Sequence, residues 1–192
     1  MSFFKDKVVW ITGASSGIGE ALALEFAKQG ARLVISARRE DELKRVAALT
    51  KLPDLDLMVL PFDLKDTSKA TALTANVINK FGRIDILVNN GGMSQRAEME
   101  KTSIEIDRDL MEVNYFSAVN LTRAVLPYMK RQKSGHVIVI SSVAGKFGFY
   151  LRSGYSAAKH ALHGFFDSFR LETEKDGIKT LIVCPGKIKT NI

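Results

Sequence analysis

Short apolar runs alternate along the chain with longer segments whose apolar residues recur every three or four positions. "KVVWIT" precedes "GEALALEFAKQG", and "RLVISA" precedes "EDELKRVAALT". "LDLMVLPFDL" precedes "SKATALTANVINKFG", and "IDILVNN" precedes a periodic region from about Ser103 to Gln132. "HVIVIS", a segment from about Ser153 to Asp176, and "IKTLIVCPG" complete the series. Runs rich in β-branched residues are typical of strands, and the longer spacing is typical of amphipathic helices.

Six apolar runs separated by helical segments predict a parallel sheet covered by helices on both faces. Because crossovers between parallel strands are right-handed, the predicted fold is α/β, a doubly wound Rossmann-type sheet. The 192 residues contain no repeat or linker, so we predict a single domain spanning 1–192. Such sheets bind ligands beyond the carboxyl ends of their strands. We therefore expect functional residues just after Thr12, Ala37, Phe62, Asn90, Ser142 and Cys184.

Charge and composition narrow the class of protein. The net charge is +7, but the basic residues are interspersed with acidic ones, as in "ARREDELKR", which argues against nucleic-acid binding. No apolar run approaches the roughly 20 residues that a membrane span needs. The start lacks a secretory signal pattern, and the single cysteine, Cys184, cannot form an internal disulfide, so we predict a cytoplasmic location. The three histidines lack companion ligands, so we predict no metal site.

A glycine-rich turn, "TGASSGIG", follows the first predicted strand. Gly13 permits a tight turn, Gly17 lets the backbone approach a pyrophosphate, and Gly19 allows close helix packing. Exposed amides and the helix dipole then favour an anion. The predicted cofactor-binding residues here are Gly13, Ser15, Ser16, Gly17, Ile18 and Gly19. The alternative is that the glycines serve the geometry of the turn alone.

The end of the second predicted strand reads "SARRE". Sheets of this type that bind NAD usually carry an acidic residue here for the adenosine ribose, but this chain has Ala37 followed by Arg38 and Arg39. Guanidinium groups form bidentate, charge-assisted bonds to phosphate, so the pattern favours the 2′-phosphate of NADP over NAD. The alternative is that the two arginines simply open a surface helix.

Several motifs occur together in a fixed order: "TGASSGIG", "NNGG", a serine thirteen residues before the tyrosine of "YSAAK", and "PGKIKT". They extend from Thr12 to Thr190 and so cover nearly the whole chain. On these motifs the chain is identified as a member of the classical short-chain dehydrogenase/reductase family, whose glycine spacing it shares.

This resemblance implies four catalytic residues: Asn114, Ser142, Tyr155 and Lys159. Tyr155 would be the general acid of carbonyl reduction, or the base in the oxidative direction. Lys159 lies one helical turn away, where its charge would favour the phenolate and its ammonium would also bind the nicotinamide ribose. Ser142 would hold the substrate oxygen, and Asn114 would hold a water that connects Lys159 to solvent.

The resemblance also assigns cofactor contacts beyond the later strands. Two would lie near the adenine, two against the adenosine ribose, and four near the nicotinamide; in chain order they are Asp63, Leu64, Asn90, Gly91, Pro185, Gly186, Ile188 and Thr190. In "NNGG", Gly91 replaces the alanine that is usual in the family. The chain also ends at Ile192, whereas family members continue with a substrate-covering segment and a seventh strand, so we expect the sixth strand to form an edge.

The sequence thus predicts an NADP-dependent oxidoreductase that interconverts a ketone or aldehyde with an alcohol. The expected substrate is a small, apolar carbonyl compound or alcohol, because Met93, Phe147, Phe149 and Tyr150 make the predicted entrance apolar. Family members commonly pair through the helices around "ALHGFFDSF", so the resemblance also predicts a homodimer or homotetramer. The alternative is a non-catalytic module that binds NADP(H) and acts through its interfaces.

Overall fold

A computed structural model describes residues 2–188, which form a six-stranded, wholly parallel sheet. Its strands are β1 (Val8–Thr12), β2 (Arg32–Ser36), β3 (Leu57–Val59), β4 (Ile86–Asn89), β5 (Gly135–Ile140) and β6 (Ile178–Val183). They lie in the order β3-β2-β1-β4-β5-β6. This is the doubly wound order in which the strand sequence reverses beside β1. The predicted fold class is confirmed.

The connections between strands are helical. The helices are α1 (Gly17–Lys28), α2 (Glu40–Thr50), α3 (Ala70–Phe81), α4 (Ile104–Met111), α5 (Ser117–Gln132) and α6 (Ser153–Thr173). A π-helical turn, Glu112–Phe116, joins α4 to α5, so the region predicted from Ser103 to Gln132 is helical almost throughout. A short 3₁₀ turn, Glu174–Asp176, extends α6 to the predicted boundary.

Alternating side chains of β1 divide the core into two layers. Val8 and Trp10 pack into the cluster formed with α3, α5 and α6, whereas Val9 and Ile11 pack with α1 and α2. All five residues of β1 are buried because both faces of the sheet are covered there. The indole N–H of Trp10 donates to Ser36 Oγ at 2.9 Å, which satisfies its one polar atom inside the core.

The third strand is shorter than its apolar run. The strand ends at Val59, although the amides of Leu60 and Phe62 still donate to the carbonyls of Ile35 and Ala37. Pro61 between them has no amide hydrogen to donate. At the opposite side of the sheet, β6 forms the edge, and Leu181 on it is 55% exposed.

Within residues 2–188, no helix combines the length and the apolar character that crossing a membrane requires.

Candidate active site

The carboxyl ends of the central strands open into a cleft of about 890 Å³. This volume lies in the range of small-molecule and cofactor sites. The cleft is lined from β1 through β6 by the turn before α1, the loops after β4 and β5, the first turns of α6 and the segment after β6. Of the predicted residues it brings together Ser16, Ile18, Asn90, Asn114, Ser142, Tyr155, Lys159, Pro185, Gly186 and Ile188.

The glycine-rich turn is closed tightly against the end of β4. Gly13 has a φ of +65°, and a Cβ placed on it would lie 2.7 Å from the Cα of Gly91. A Cβ on Gly19 would lie 2.2 Å from the carbonyl oxygen of Gly13. Any side chain at either position would therefore push the turn away from β4. The first amides of a helix have no partner within the helix, and the Ser16 side chain does not cap those of α1. The amino end of α1 can therefore serve as an anion site.

Thr12 and Asn90 fasten this turn to the sheet. Thr12 Oγ1 accepts hydrogen bonds from the amides of Asn90 and Gly91, both at 3.0 Å. The Asn90 side-chain amide donates to the carbonyls of Thr12 at 2.9 Å and Gly13 at 3.2 Å. The amide group of Asn90 thus holds the turn, a role that the predicted ribose contact did not anticipate.

Arg45 on α2 also holds the glycine-rich turn in place, a contact that the sequence analysis missed. Its guanidinium contacts both carboxylate oxygens of Glu20 on α1, at 2.8 and 2.9 Å, and donates to the Ser15 carbonyl at 3.3 Å. The hydrogen bond from Arg45 lowers the pKa of Glu20. The arginine therefore ties α2, α1 and the glycine-rich turn together. The sequence offers no signal for it, because Glu20 and Arg45 lie on different helices.

Tyr155 and Lys159 share one face of α6, as their spacing predicts. Lys159 is only 4% exposed, and its ammonium donates to the Ile140 carbonyl at the end of β5, at 2.9 Å. The same ammonium lies 5.8 Å from the centroid of the Tyr155 ring. Burial lowers the pKa of Lys159 to about 8. The cation is thus held between the strand end and the phenol ring.

Asn114 lies in the π-helical turn and faces the loop after β4. Its side-chain amide donates to the carbonyls of Met93 at 3.0 Å and Leu110 at 2.9 Å, and its oxygen accepts from the Met93 amide at 3.2 Å. A Cβ on Gly92 would lie 2.7 Å from Asn114 Oδ1 and 3.7 Å from Lys159 Nζ. Both groups therefore approach the same point, and Asn114 Oδ1 has capacity for one further donor there.

Both serines after β5 line the cleft, but they have different hydrogen-bond partners. Ser142 lines the cleft, and its hydroxyl accepts from the Ala144 amide at 3.1 Å. Ser141 Oγ lies 3.4 Å from the Lys159 carbonyl and 3.1 Å from His163 Nε2. The Ser142 hydroxyl thus makes one local bond, as an acceptor, and keeps its own hydrogen available to donate into the cleft.

The other predicted cofactor residues within the described part of the chain are not among the residues that line the cleft. Arg38 and Arg39 are exposed beyond β2, and Asp63 and Leu64 follow β3. Leu64 packs on Gly91, since a Cβ there would meet Leu64 Cδ1 at 2.3 Å, which accounts for glycine in "NNGG". Gly17 lies in the turn itself, with a φ of +58°. Thr190 lies outside the described residues.

Metal ligation has no support in the part of the chain that the structure describes, since no three His, Cys, Asp or Glu residues cluster there. His163 Nε2 lies 3.6 Å from Cys184 Sγ and 3.1 Å from Ser141 Oγ, but no acidic ligand joins them.

The structure combines a wholly parallel doubly wound sheet, a glycine-rich turn after β1 and a Tyr-Lys pair that lines the cleft. The sheet and the turn define a Rossmann-type fold of the dinucleotide-binding class. The family model described as "short chain dehydrogenase" matches residues 7–192, and the chain belongs to this family. The chain is 48% identical over 192 residues to human "Dehydrogenase/reductase SDR family member 7", with 97% of this chain and 57% of that protein covered. It is 49% identical over 189 residues to an Anopheles gambiae "Dehydrogenase/reductase SDR family protein 7-like", with 96% and 60% covered. The chain thus spans little more than half the length of these relatives.

Solved structures of the family superimpose closely on the fold. A short-chain dehydrogenase from Streptomyces avermitilis matches with a TM-score of 0.92 and 38% identity, covering 97% of this chain and 68% of that one. A short-chain dehydrogenase/reductase from Burkholderia phymatum, solved in complex with NAD, matches with a TM-score of 0.94 and 26% identity, covering 100% and 69%.

Proposed function

We propose that this chain is the nucleotide-binding and catalytic part of an NADP-dependent oxidoreductase that interconverts a ketone or aldehyde with an alcohol. The observation that carries the proposal is the shared lining of one cleft: Ser142, Tyr155 and Lys159 face the same space as Asn114 and the amino end of α1. A nicotinamide cofactor, when bound, supplies or accepts the hydride.

The protein side chains handle the proton and the substrate oxygen. Tyr155 donates its phenolic proton to the oxygen of the reduced carbonyl and takes it back in the oxidative direction. Lys159, held at 2.9 Å from the Ile140 carbonyl, presents a cation to the phenol and stabilises the phenolate. Ser142 donates a hydrogen bond to the substrate oxygen and fixes its position against Tyr155.

The site has a structural fit for the cofactor. The closely packed turn at Gly13 and Gly19 leaves the first amides of α1 available for the pyrophosphate. The ends of β2 and β5 are three strand spacings apart, roughly 14 Å, which an extended dinucleotide bridges. Arg38 and Arg39 are exposed at the β2 end, where the adenosine would lie, and favour a 2′-phosphate.

Replacing Tyr155 tests the chemistry. In the complete protein that contains this chain, Tyr155→Phe keeps the ring but loses the proton, so carbonyl reduction should fall by about 100-fold or more. NADPH binding should remain. Tyr128→Phe is the matched control, because this tyrosine lies on α5 beneath Arg131 and outside the cleft. An unchanged rate in Tyr155→Phe would remove Tyr155 from the mechanism.

Fluorescence titration with NADPH and NADH tests the cofactor preference. Charge-assisted bonds to a phosphate contribute about ten-fold to a hundred-fold in affinity, so NADPH should bind more tightly by this factor. Arg38→Ala should remove most of the difference. Equal or tighter binding of NADH by the unaltered protein would contradict the role given to Arg38 and leave the fold unaffected.

A second function is a cofactor-binding module without turnover. Its support is the exposed apolar surface on α4 and the π-helical turn, where Ile104 is 57% exposed and Phe116 is 43% exposed. The same surface supports assembly into a homodimer or homotetramer, which stays a prediction, as does a cytoplasmic location. NADPH binding with no reduction of any carbonyl compound would favour the module.

A further inference from the structure

The cleft has a pronounced imbalance of charge. Four of its described lining residues are cationic, and none is an aspartate or glutamate; the cations are Arg96, Arg152, Lys159 and Lys187. Lys159 belongs to the proposed catalytic set, and Lys187 follows the Pro185–Gly186 segment assigned to the cofactor. Arg96 and Arg152 remain without a role in the reaction proposed above.

Arg152 lies immediately beside the proposed acid. It is the residue before α6, and its guanidinium carbon is 5.8 Å from the centroid of the Tyr155 ring. Its Nη1 donates to Ser94 Oγ in the loop after β4. This contact is to a neutral hydroxyl, and no ion pair within the described residues involves Arg152, although Asp107 packs nearby against Gly154. The guanidinium thus has spare donors and no ion-pair partner within 4 Å among the described residues.

Two loops hold this charge at the cleft entrance. The Ala97 amide donates to the Leu151 carbonyl at 3.2 Å, which joins the loop after β4 to the loop after β5 next to Arg96 and Arg152. Phe149 and Tyr150, in the same second loop, are 47% and 81% exposed and also line the cleft. The entrance therefore offers a fixed cation beside two exposed aromatic rings.

The cofactor does not account for Arg152. Its pyrophosphate is assigned to the amino end of α1, after β1, whereas Arg152 follows β5. These strand ends are two strand spacings apart, roughly 10 Å. The 2′-phosphate is assigned to Arg38, which lies one strand further away. Arg152 thus follows a different strand from the residues assigned to the two phosphate groups, and it lies next to Tyr155.

We infer that the substrate is an anionic amphiphile: a carbonyl compound, or its alcohol, with a carboxylate or similar anion close to the reacting carbon and an apolar remainder. This inference rests on the proposed function. Arg152 binds the anion by charge-assisted hydrogen bonds, with Arg96 adding charge at the rim. Phe149 and Tyr150 cover the apolar part. The short separation of Arg152 from the Tyr155 ring places the anion only a few bonds from the carbonyl.

A medium-chain γ-keto acid and its methyl ester provide the test, because they differ in charge and share their shape near the carbonyl. With the complete protein and NADPH, kcat/KM should be about ten-fold to a hundred-fold higher for the acid than for the ester. In Arg152→Gln this ratio should fall to near one, and Arg152→Lys should keep part of it.

Two control variants distinguish an electrostatic role of Arg152 from a purely structural one. Ser94→Ala removes the neutral partner of Arg152 and should leave the acid-to-ester ratio high, whatever it does to either rate. Arg170→Gln, at an exposed arginine on α6 that pairs with Asp167 at 3.4 Å, should leave both rates as they are. A purely structural role for Arg152 would lower both rates equally and leave the ratio intact, which would overturn the inference.

The outcomes distinguish failure of the anionic substrate from failure of the proposed oxidoreductase activity. Reduction of acid and ester at equal rates by the unaltered protein would overturn the anionic substrate and leave the oxidoreductase standing. A weaker NADPH affinity in Arg152→Gln with an unchanged ratio would assign the arginine to the cofactor and overturn the inference. No reduction of any carbonyl compound despite NADPH binding would overturn both proposals.

Discussion

Individual side chains at the site divide into those that spacing in the sequence identifies and those that only the fold reveals. The four-residue separation of Tyr155 and Lys159 is a local property of one helix, so the sequence could predict that they share a face. Arg45 and Thr12 act across 25 and 78 residues of chain, on Glu20 and Asn90. No local pattern encodes such contacts. The same holds for Arg152, whose significance depends on which strand ends lie near it.

Burial of Lys159 predicts a pH-dependent stability. Its pKa falls from 10.5 in an unfolded chain to about 8 in the folded one. Between these values the unfolded chain holds a proton that the folded chain has lost, so this residue makes folding more favourable as pH rises. Without cofactor, Lys159→Met should be more stable than the unaltered protein below pH 8, by on the order of 3 kcal/mol, and this advantage should shrink towards pH 10.5.

Urea unfolding across this pH range measures the difference in the free energy of unfolding between Lys159→Met and the unaltered protein. Lys175→Met, at an exposed lysine beside the end of α6, is the control for losing one charge and should follow the unaltered protein. A gap between Lys159→Met and the unaltered protein that is constant with pH would contradict the assignment of the shift to burial of Lys159.

Alanine substitutions at Gly13 and Gly82 distinguish the cost of disturbing the packed turn from the cost of a strained backbone. Both have positive φ, +65° and +73°, but a Cβ on Gly82 meets nothing within 4 Å. Gly82→Ala should therefore lower the free energy of unfolding only by the cost of a left-handed backbone, about 1–2 kcal/mol. Gly13→Ala should lose more free energy of unfolding, because its Cβ meets the backbone of Gly91, and it should also weaken NADPH binding. Equal losses would mean that the turn has room to move.

Helices and turns position the site as units. The π-helical turn at Glu112–Phe116 places Asn114 where its side-chain amide donates to the Leu110 carbonyl at 2.9 Å. The sequence predicted a continuous helical region here, since apolar periodicity does not reveal a single wide turn. The carboxyl end of the segment that contains α6 was easier to predict, because a glycine, Gly177, ends it in the left-handed conformation.

The connection between α1 and α2 can be tested through Arg45. Arg45→Met keeps the aliphatic stem but releases Glu20 and the Ser15 carbonyl, so the glycine-rich turn should become more mobile and NADPH affinity should fall several-fold to about ten-fold. Lys44→Met is the control on the same helix, because its ion pair with Glu40 is exposed on both sides and remote from the turn. Equal affinities for the two variants would limit Arg45 to a surface role.

The whole molecule follows from a simple alternation of apolar runs and amphipathic segments. Each strand that crosses the core reads as a short β-branched run, and right-handed crossovers then leave few arrangements. The doubly wound fold class, and a cleft beyond the carboxyl ends of the strands, could therefore be predicted. The end of β3 at Val59 could not be predicted, because "LMVLPF" is apolar throughout and only the pairing with β2 decides where the strand ends. Substrate choice depends on loops from several strands, and the role that we infer for Arg152 becomes visible only once those loops are assembled.

Transfer of deuterium from NADPH to a carbonyl substrate is the most direct test of the proposed oxidoreductase activity. The complete protein is incubated with a carbonyl substrate and NADPH carrying deuterium at the transferable position of the nicotinamide, and the alcohol is analysed by mass spectrometry. We expect an alcohol with deuterium on the carbinol carbon, formed by the unaltered protein and nearly absent with Tyr155→Phe. NADPH binding without any labelled alcohol, across neutral and anionic carbonyl compounds, would contradict that activity.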